Sequence, residues 1–164
     1  MRDVVTWVAI ALAGIVVIGL IFGGGDAGPV PAPEFTLENL DGTPISITDY
    51  RGQVVLLDFW ATWCRPCRKS FPALHELQRA YEDEGVVLLV VSIDKTAQAA
   101  REYLEANGYP TDTVLWQSLE AAREVKALYG VVGIPRTIVI DREGIIRFSG
   151  HPDNLTDEDI EQLL

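Results

Sequence analysis

Apolar residues follow two different spacings along this chain. Residues 54–60 and 86–93 are almost continuously apolar, a pattern typical of strands that are buried on both faces of a sheet. Alternating segments over residues 35–37 and 45–47 flank a turn signal at Asp41-Gly42, which predicts a hairpin. Three more strands are predicted, a short one over residues 114–116 and a second hairpin over residues 137–140 and 145–148.

Between these strands, apolar residues recur every three or four positions, which predicts helices. The first spans residues 64–84 and contains Pro72, which we expect to kink it. Further helices are predicted over residues 97–107 and 119–129, and a short final helix begins at Thr156. Because strands and helices alternate, we expect an α/β domain whose mixed sheet carries helices on both faces.

The N-terminal 22 residues do not fit this domain pattern. Residues 4–22 contain no charged side chain, and at about 1.5 Å per residue a helix over them reaches roughly 28 Å, close to the thickness of a bilayer core. Arg2 precedes this segment, and no Lys or Arg occurs over residues 23–44. The positive-inside rule therefore predicts a single transmembrane helix with a cytoplasmic N-terminus and an extracytoplasmic domain. A cleaved signal peptide is the alternative.

Residues 23–33 contain four Gly and three Pro, which is the composition of a linker. The chain thus divides into an anchor over residues 1–22, a linker over residues 23–33 and a domain over residues 34–164. The formal net charge is −11, and Arg2 and Asp3 cancel, so that all of this charge lies beyond the apolar segment, almost entirely in the domain. Such an acidic domain is not expected to bind nucleic acid.

The chain has two cysteines, Cys64 and Cys67, in a single C-x-x-C. They lie between a buried strand and an amphipathic helix. A thiol at a helix N-terminus faces unpaired N–H groups and the positive end of the helix dipole, both of which stabilise thiolate. Cys64 is therefore predicted to be the nucleophile and Cys67, one turn later, the shielded resolving thiol. Pro66 fits the first helical turn because it lacks an N–H.

Three positively charged residues near the dithiol, Arg65, Arg68 and Lys69, should favour thiolate further. Other interpretations of the motif are weaker. A structural disulfide would close a very short loop, and a zinc site needs four ligands, for which only His75 and His151 are available. We expect both histidines at the surface. Haem attachment would need His directly after Cys67, where Arg68 stands.

At these residues the chain resembles the membrane-tethered TlpA/ResA/CcmG group of thioredoxin-like proteins. The resemblance implies a thioredoxin-like fold with an added N-terminal hairpin and a central insertion. It also implies a cis peptide before Pro135, packed against the dithiol, and a buried base at Asp58. The residues that carry it are Pro33 to Leu37, Gly42, Tyr50 to Gly52, Asp58 to Cys67, Phe71-Pro72 and Gly133 to Thr137.

The same resemblance suggests residues that meet substrate beside the dithiol. Trp60 and Trp63 flank the site, although core packing is an equal interpretation for Trp60. The predicted substrate-binding residues are Trp63, Arg65, Pro66, Ile134 and Arg136. Two departures from the family pattern concern Ser70, where several relatives carry Glu, and the strand next to Asp58, where the position near Val90 lacks the Lys of many thioredoxins.

We therefore predict a disulfide reductase that needs no metal and no organic cofactor. The resemblance implies protein substrates outside the cytoplasm, such as apocytochrome c or oxidase-assembly factors, and a membrane electron donor of the DsbD/CcdA kind. Two alternatives differ in class. A peroxiredoxin-like peroxidase would carry Thr where Ala61 stands, and a copper-binding assembly factor of the SCO type would have a C-x-x-x-C spacing.

Overall fold

The computed structural model describes residues 29–164. Residues Pro31–Leu164 form one compact unit. The predicted anchor lies outside the described residues. Within residues 29–164, no helix is long and apolar enough to cross a membrane.

A five-stranded mixed sheet forms the centre of the domain, with the order β5-β4-β3-β6-β7. The strands β3, β4 and β5 are parallel, whereas β6 and β7 are antiparallel to their neighbours. Every residue of β3 is buried, as its continuous apolar run predicts. The five strands are β3 (Val54–Trp60), β4 (Val86–Ser92), β5 (Val114–Leu115), β6 (Arg136–Ile140) and β7 (Ile146–Gly150).

The N-terminal hairpin consists of β1 (Thr36–Glu38) and β2 (Pro44–Ser46), which pair antiparallel as predicted. Four helices connect or follow the strands. They are α1 (Arg65–Ala80), α2 (Ala97–Asn107), α3 (Leu119–Leu128) and α4 (Asp157–Glu161). The predicted central insertion is α2 with β5, which adds an edge strand beside β4.

Helices cover both faces of the sheet, and adjacent residues of β3 show this. Phe59 and Trp60 point to opposite faces because side chains alternate along a strand. Trp60 stacks on Phe71 of α1 and contacts Tyr103 of α2. Phe59 contacts Tyr129, which follows α3 directly. The expected arrangement of helices on both faces is confirmed.

The C-terminal end of α1 differs from the expectation. The helix ends at Ala80 rather than at residue 84, and Glu82–Glu84 forms a separate 3-10 turn. Three acidic residues in succession are unfavourable at the negative end of a helix dipole, and Gly85, with a φ of 85°, directs the chain into β4. Pro72 is exposed and lies inside a helix that continues through it.

Candidate active site

The two cysteines lie where β3 passes into α1. Cys64 is the N-cap of α1, and its sulfur accepts a hydrogen bond from the Cys67 N–H at 3.2 Å. The structure contains the disulfide between them, with an S–S distance of 2.07 Å. Pro66 occupies the first turn of α1, where a missing N–H costs no helical hydrogen bond. Both the position and the pairing agree with the predicted dithiol site.

Exposure differs between the two cysteines. Cys64 is 6% exposed and Cys67 is 0% exposed, so that only Cys64 can be reached from solvent. This asymmetry agrees with Cys64 as the attacking thiol and Cys67 as the resolving thiol. The side chains of Arg65, Arg68 and Lys69 are exposed around the same helical turn, which places positive charge beside the thiol that must ionise.

Asp58 lies in the middle of β3 and is 1% exposed. It points to the same face as Trp60, and therefore toward α1, because the two residues are separated by two positions. Thr137 Oγ1 donates a hydrogen bond to Asp58 Oδ1 at 2.8 Å. Burial raises the pKa of Asp58 to about 7, although the bond from Thr137 acts in the opposite direction. Val90 is the β4 partner of Asp58, which confirms that no Lys stands there.

A second buried carboxylate, Asp94, was not among the predicted site residues. It follows β4, is 1% exposed, and accepts hydrogen bonds from Thr62 Oγ1 at 2.6 Å and from Ser92 Oγ at 2.9 Å. The Thr62 N–H also donates to it. Asp94 therefore fixes the loop that leads into Cys64. Its position at the carboxyl end of a parallel strand beside β3 is the signal that could have indicated it.

Ser70 cannot replace the missing Glu of the family pattern. It is buried, and its hydroxyl donates to the carbonyl oxygens of Pro66 and Cys67. Trp60 is 0% exposed, so it belongs to the core rather than to a substrate platform.

His75 is buried, with 4% of its surface exposed, although the sequence analysis expected it at the surface. Its ring stacks on Tyr109 and meets the edge of Phe71. Burial, with a smaller effect of the nearby Arg79 charge, lowers the pKa of His75 to about 4. The expectation failed because Tyr109 comes from a distant part of the chain and covers this position of α1.

The predicted proline lies in the loop before β6. The Ile134–Pro135 peptide bond is cis, as the resemblance implies, and Pro135 is buried. Trp63 and Ile134 line one groove of about 430 Å³, whereas Arg65 and Pro66 line another of about 510 Å³. Arg136 lines neither groove, and its guanidinium donates to Ser149 Oγ.

Over residues 29–164, His, Cys, Asp and Glu form no group of three or more that could hold a metal ion. Ala61, at the position where the peroxidase alternative requires Thr, is buried and bears no hydroxyl. The hydroxyl of its neighbour Thr62 is engaged by Asp94.

The chain is similar to known proteins over most of its length. The family model described as "AhpC/TSA family" matches residues 30–149. The thiol-disulfide oxidoreductase ResA of Geobacillus thermodenitrificans is 33% identical over 168 residues, a match that covers 100% of this chain and 92% of that protein.

Two solved structures show the same thioredoxin-like fold. The thioredoxin domain of a thiol-disulfide oxidoreductase from Bacteroides vulgatus has a TM-score of 0.71 at 28% identity, and the match covers 84% of this chain and 95% of that one. A thiol:disulfide interchange protein DsbE from Chlorobium tepidum has a TM-score of 0.69 at 33% identity, with 82% and 93% covered.

Proposed function

The chain belongs to the AhpC/TSA family and is a thiol-disulfide oxidoreductase, and from this premise we propose that it reduces disulfides of exported proteins outside the cytoplasm. The observation that carries this proposal is the arrangement of the dithiol. Cys64 caps α1 and is reachable, whereas Cys67 is fully buried on the same helix. Asp58 lies on the face of the sheet that α1 covers and supplies a candidate base.

The chemistry follows in two exchanges. The Cys64 thiolate attacks one sulfur of a substrate disulfide, which forms a mixed disulfide and releases the first substrate thiolate. Cys67 then loses its proton to Asp58 and attacks the Cys64 sulfur, which forms the Cys64–Cys67 disulfide and releases the second substrate thiolate. Two electrons pass from the protein to the substrate. The product state is the disulfide that the structure contains, and a reductant must regenerate the dithiol.

The location and the partners are part of the proposal. Residues 1–22 anchor the chain, and the linker over residues 23–33 leads to an extracytoplasmic domain. The electron donor is a membrane protein of the DsbD/CcdA kind, and the substrates include apocytochrome c or oxidase-assembly factors. The support is the apolar N-terminal segment, the distribution of Lys and Arg around it and the similarity to ResA.

The direction of electron flow can be tested in intact cells. Rapid acid quenching followed by alkylation reports the redox state of the two cysteines. We expect Cys64 and Cys67 to be mostly reduced, because a reductase is held in its dithiol form by its donor. A population that is mostly disulfide would instead indicate an oxidase and contradict the proposal.

The division of labour between the cysteines can be tested with two variants. Cys67→Ala should accumulate mixed disulfides with its substrates, since the resolving thiol is absent, and these can be identified after affinity capture. Cys64→Ala, the matched control, should accumulate none. Trapping through Cys67 alone would reverse the assignment.

The peroxidase alternative predicts rapid oxidation of the reduced wild-type protein by hydrogen peroxide, and we expect only slow oxidation.

A further inference from the structure

Two grooves lie beside the dithiol, one on each side of Cys64 along the chain. The first, named the Trp63 groove, contains Trp63, Val132 and Ile134, with Arg123 and Lys126 at its edge. The second, named the His151 groove, contains Arg65, Pro66, Lys69, His151 and Asp153. Each groove contains a direct chain neighbour of Cys64, Trp63 in the first and Arg65 in the second.

The Trp63 groove presents unusual apolar exposure. Trp63 is 63% exposed and Val132 is 96% exposed, and they are two of only four large apolar side chains exposed among residues 29–164. Lys126 Nζ donates to the carbonyl oxygens of Val131 and Val132 at 2.6 and 2.8 Å. Lys126 therefore holds the Val132 loop in place, and the apolar surface is a fixed feature of the domain.

Both grooves are positively charged in a chain whose net charge is −11. Elsewhere in the part of the chain that the structure describes, three arginines form ion pairs, namely Arg51 with Glu34, Arg101 with Asp41 and Arg147 with Asp141, whereas other exposed arginines such as Arg79 form none. Within residues 29–164, the four cations of the two grooves form no ion pair with a carboxylate of the chain. The one carboxylate that lines either groove, that of Asp153, is 3.7 Å from His151 Nδ1.

We propose that these grooves select disulfides flanked by acidic residues, with an apolar side chain next to the attacked cysteine. This inference rests on the proposed reductase function and specifies which residues flank the disulfides that the protein reduces. Unpaired cations on both sides of a reaction centre attract negative charge and repel positive charge, which affects the rate of encounter most strongly. The net negative charge of the remaining domain opposes binding of acidic proteins elsewhere, so that attraction is confined to the dithiol.

The test uses the reduced full-length protein in a non-ionic detergent and three disulfide peptides. The peptides share a central Phe next to the cysteine and differ only in flanking pairs of Glu, Gln or Lys. Each second-order rate of reduction is divided by the rate with a small neutral disulfide, which corrects for thiolate reactivity. We expect the Glu peptide to react at least about tenfold faster than the Lys peptide at low salt, and this ratio to fall toward unity in about 0.5 M salt, where charges are screened.

Single substitutions then test whether the cations of the two grooves cause the preference for the Glu peptide. Lys69→Gln and Arg123→Gln each remove one charge, one from each groove, and each should reduce the Glu-to-Lys rate ratio by about two- to fivefold. Lys126 is left intact because it holds the Val132 loop. The matched control is Arg79→Gln, which removes an exposed charge from the far end of α1, about 20 Å along the helix from Arg65; its ratio should stay that of the wild type.

The outcomes separate the two proposals. Equal rates for all three peptides, or a ratio that Arg79→Gln lowers as much as the groove variants do, would overturn the sequence preference while the reductase function stands. Failure to reduce any peptide, although the dithiol is intact by thiol titration, would overturn the reductase function and this inference together.

Discussion

At the scale of single residues, Asp58 carries the sharpest prediction. Asp58→Asn should slow resolution of the mixed disulfide by at least about tenfold, and its formation by much less. The reason is that Cys67 is buried and needs a nearby base, and general-base catalysis typically contributes about 10²-fold or more. Single-turnover kinetics with a fluorescent disulfide peptide separate the two steps. Equal slowing of both steps would contradict the assigned role.

Thr137→Val is the companion variant for Asp58. It removes the hydrogen bond that Thr137 Oγ1 donates to Asp58, and that bond lowers the pKa of the carboxyl. The variant should therefore raise the pKa of Asp58 and move the pH profile of the resolution step upward. A profile that stays at the wild-type position would show that another group titrates in this step.

Asp58 and His75 should give opposite dependences of stability on pH. The folded-state pKa of Asp58 is raised from 3.8 to about 7. Its contribution to the free energy of unfolding is therefore fully present below pH 3.8 and is lost as the pH rises to 7. The folded-state pKa of His75 is lowered from 6.5 to about 4. Its contribution to the free energy of unfolding is therefore fully present above pH 6.5 and is lost as the pH falls to 4.

Urea unfolding of the oxidised protein between pH 4 and 7.5 tests this opposition. Relative to the wild type, the free energy of unfolding of Asp58→Asn should increase as the pH rises from about 4 to 7. Relative to the wild type, the free energy of unfolding of His75→Phe should decrease as the pH rises from about 4 to 6.5. Each pKa unit sets an upper limit of about 1.4 kcal/mol on these changes. Trends of the same sign in both variants would contradict the predicted directions.

The residues that the sequence analysis found and missed differ in a physical way. Cys64 and Cys67 belong to a local motif between a strand and a helix, and the cis bond before Pro135 was implied by the family resemblance. Burial of His75 depends on Tyr109, and the role of Asp94 depends on Thr62. Contacts between residues so far apart in the chain leave no periodic signal, and only the packed structure brings them together.

At the scale of elements, Asp94 connects the end of β4 to the loop between β3 and α1. Thr62→Val removes the hydroxyl donor at 2.6 Å and leaves the buried carboxylate with fewer partners. We expect a loss of about 1–3 kcal/mol in the free energy of unfolding, measured with urea, together with slower attack by Cys64. Thr36→Val on β1, where the side chain is exposed, should change stability by less than about 0.5 kcal/mol.

The N-terminus of α1 sets the reducing power, because any feature that stabilises the Cys64 thiolate favours the dithiol. For this two-electron couple, about 1.4 kcal/mol corresponds to about 30 mV. Arg65 is exposed, so Arg65→Gly should lower the potential by at most about 30 mV. Pro66→His should raise it by more, because an imidazolium then lies between the cysteines. A glutathione redox titration measures both, and a wild-type value near that of DsbA, about −120 mV, would contradict a reductase.

The order of elements was more predictable than their ends. The strands and the three longer α-helices were expected from apolar spacing, and the sheet has the expected mixed arrangement of parallel and antiparallel strands. The end of α1 was predicted four residues too late, since the amphipathic pattern continues to Tyr81 while the acidic run that follows opposes a helix C-terminus. Apolar spacing reports which face is buried, and it does not report where a helix dipole becomes unfavourable.

At the scale of the whole molecule, the acidic domain and the apolar N-terminus should have opposite effects on membrane association. The domain, in a chain whose net charge is −11, is repelled by anionic lipid, so we expect residues 4–22 to provide the membrane association. We expect the full-length protein to stay in the membrane pellet after alkaline extraction and to retain its N-terminus when its intact mass is measured. Protease added to spheroplasts should degrade the domain.

A pair of charged substitutions tests that last prediction directly. Leu12→Arg with Val16→Arg places two charges in the apolar segment, at a cost of about 2.5–3.5 kcal/mol each on insertion scales. This variant should leave the membrane pellet, because insertion of the segment becomes unfavourable. Ala27→Arg adds a charge in the linker and should remain in the pellet. A domain that protease reaches only after lysis would reverse the orientation, and a wild-type mass that lacks residues 1–22 would show a cleaved signal peptide instead.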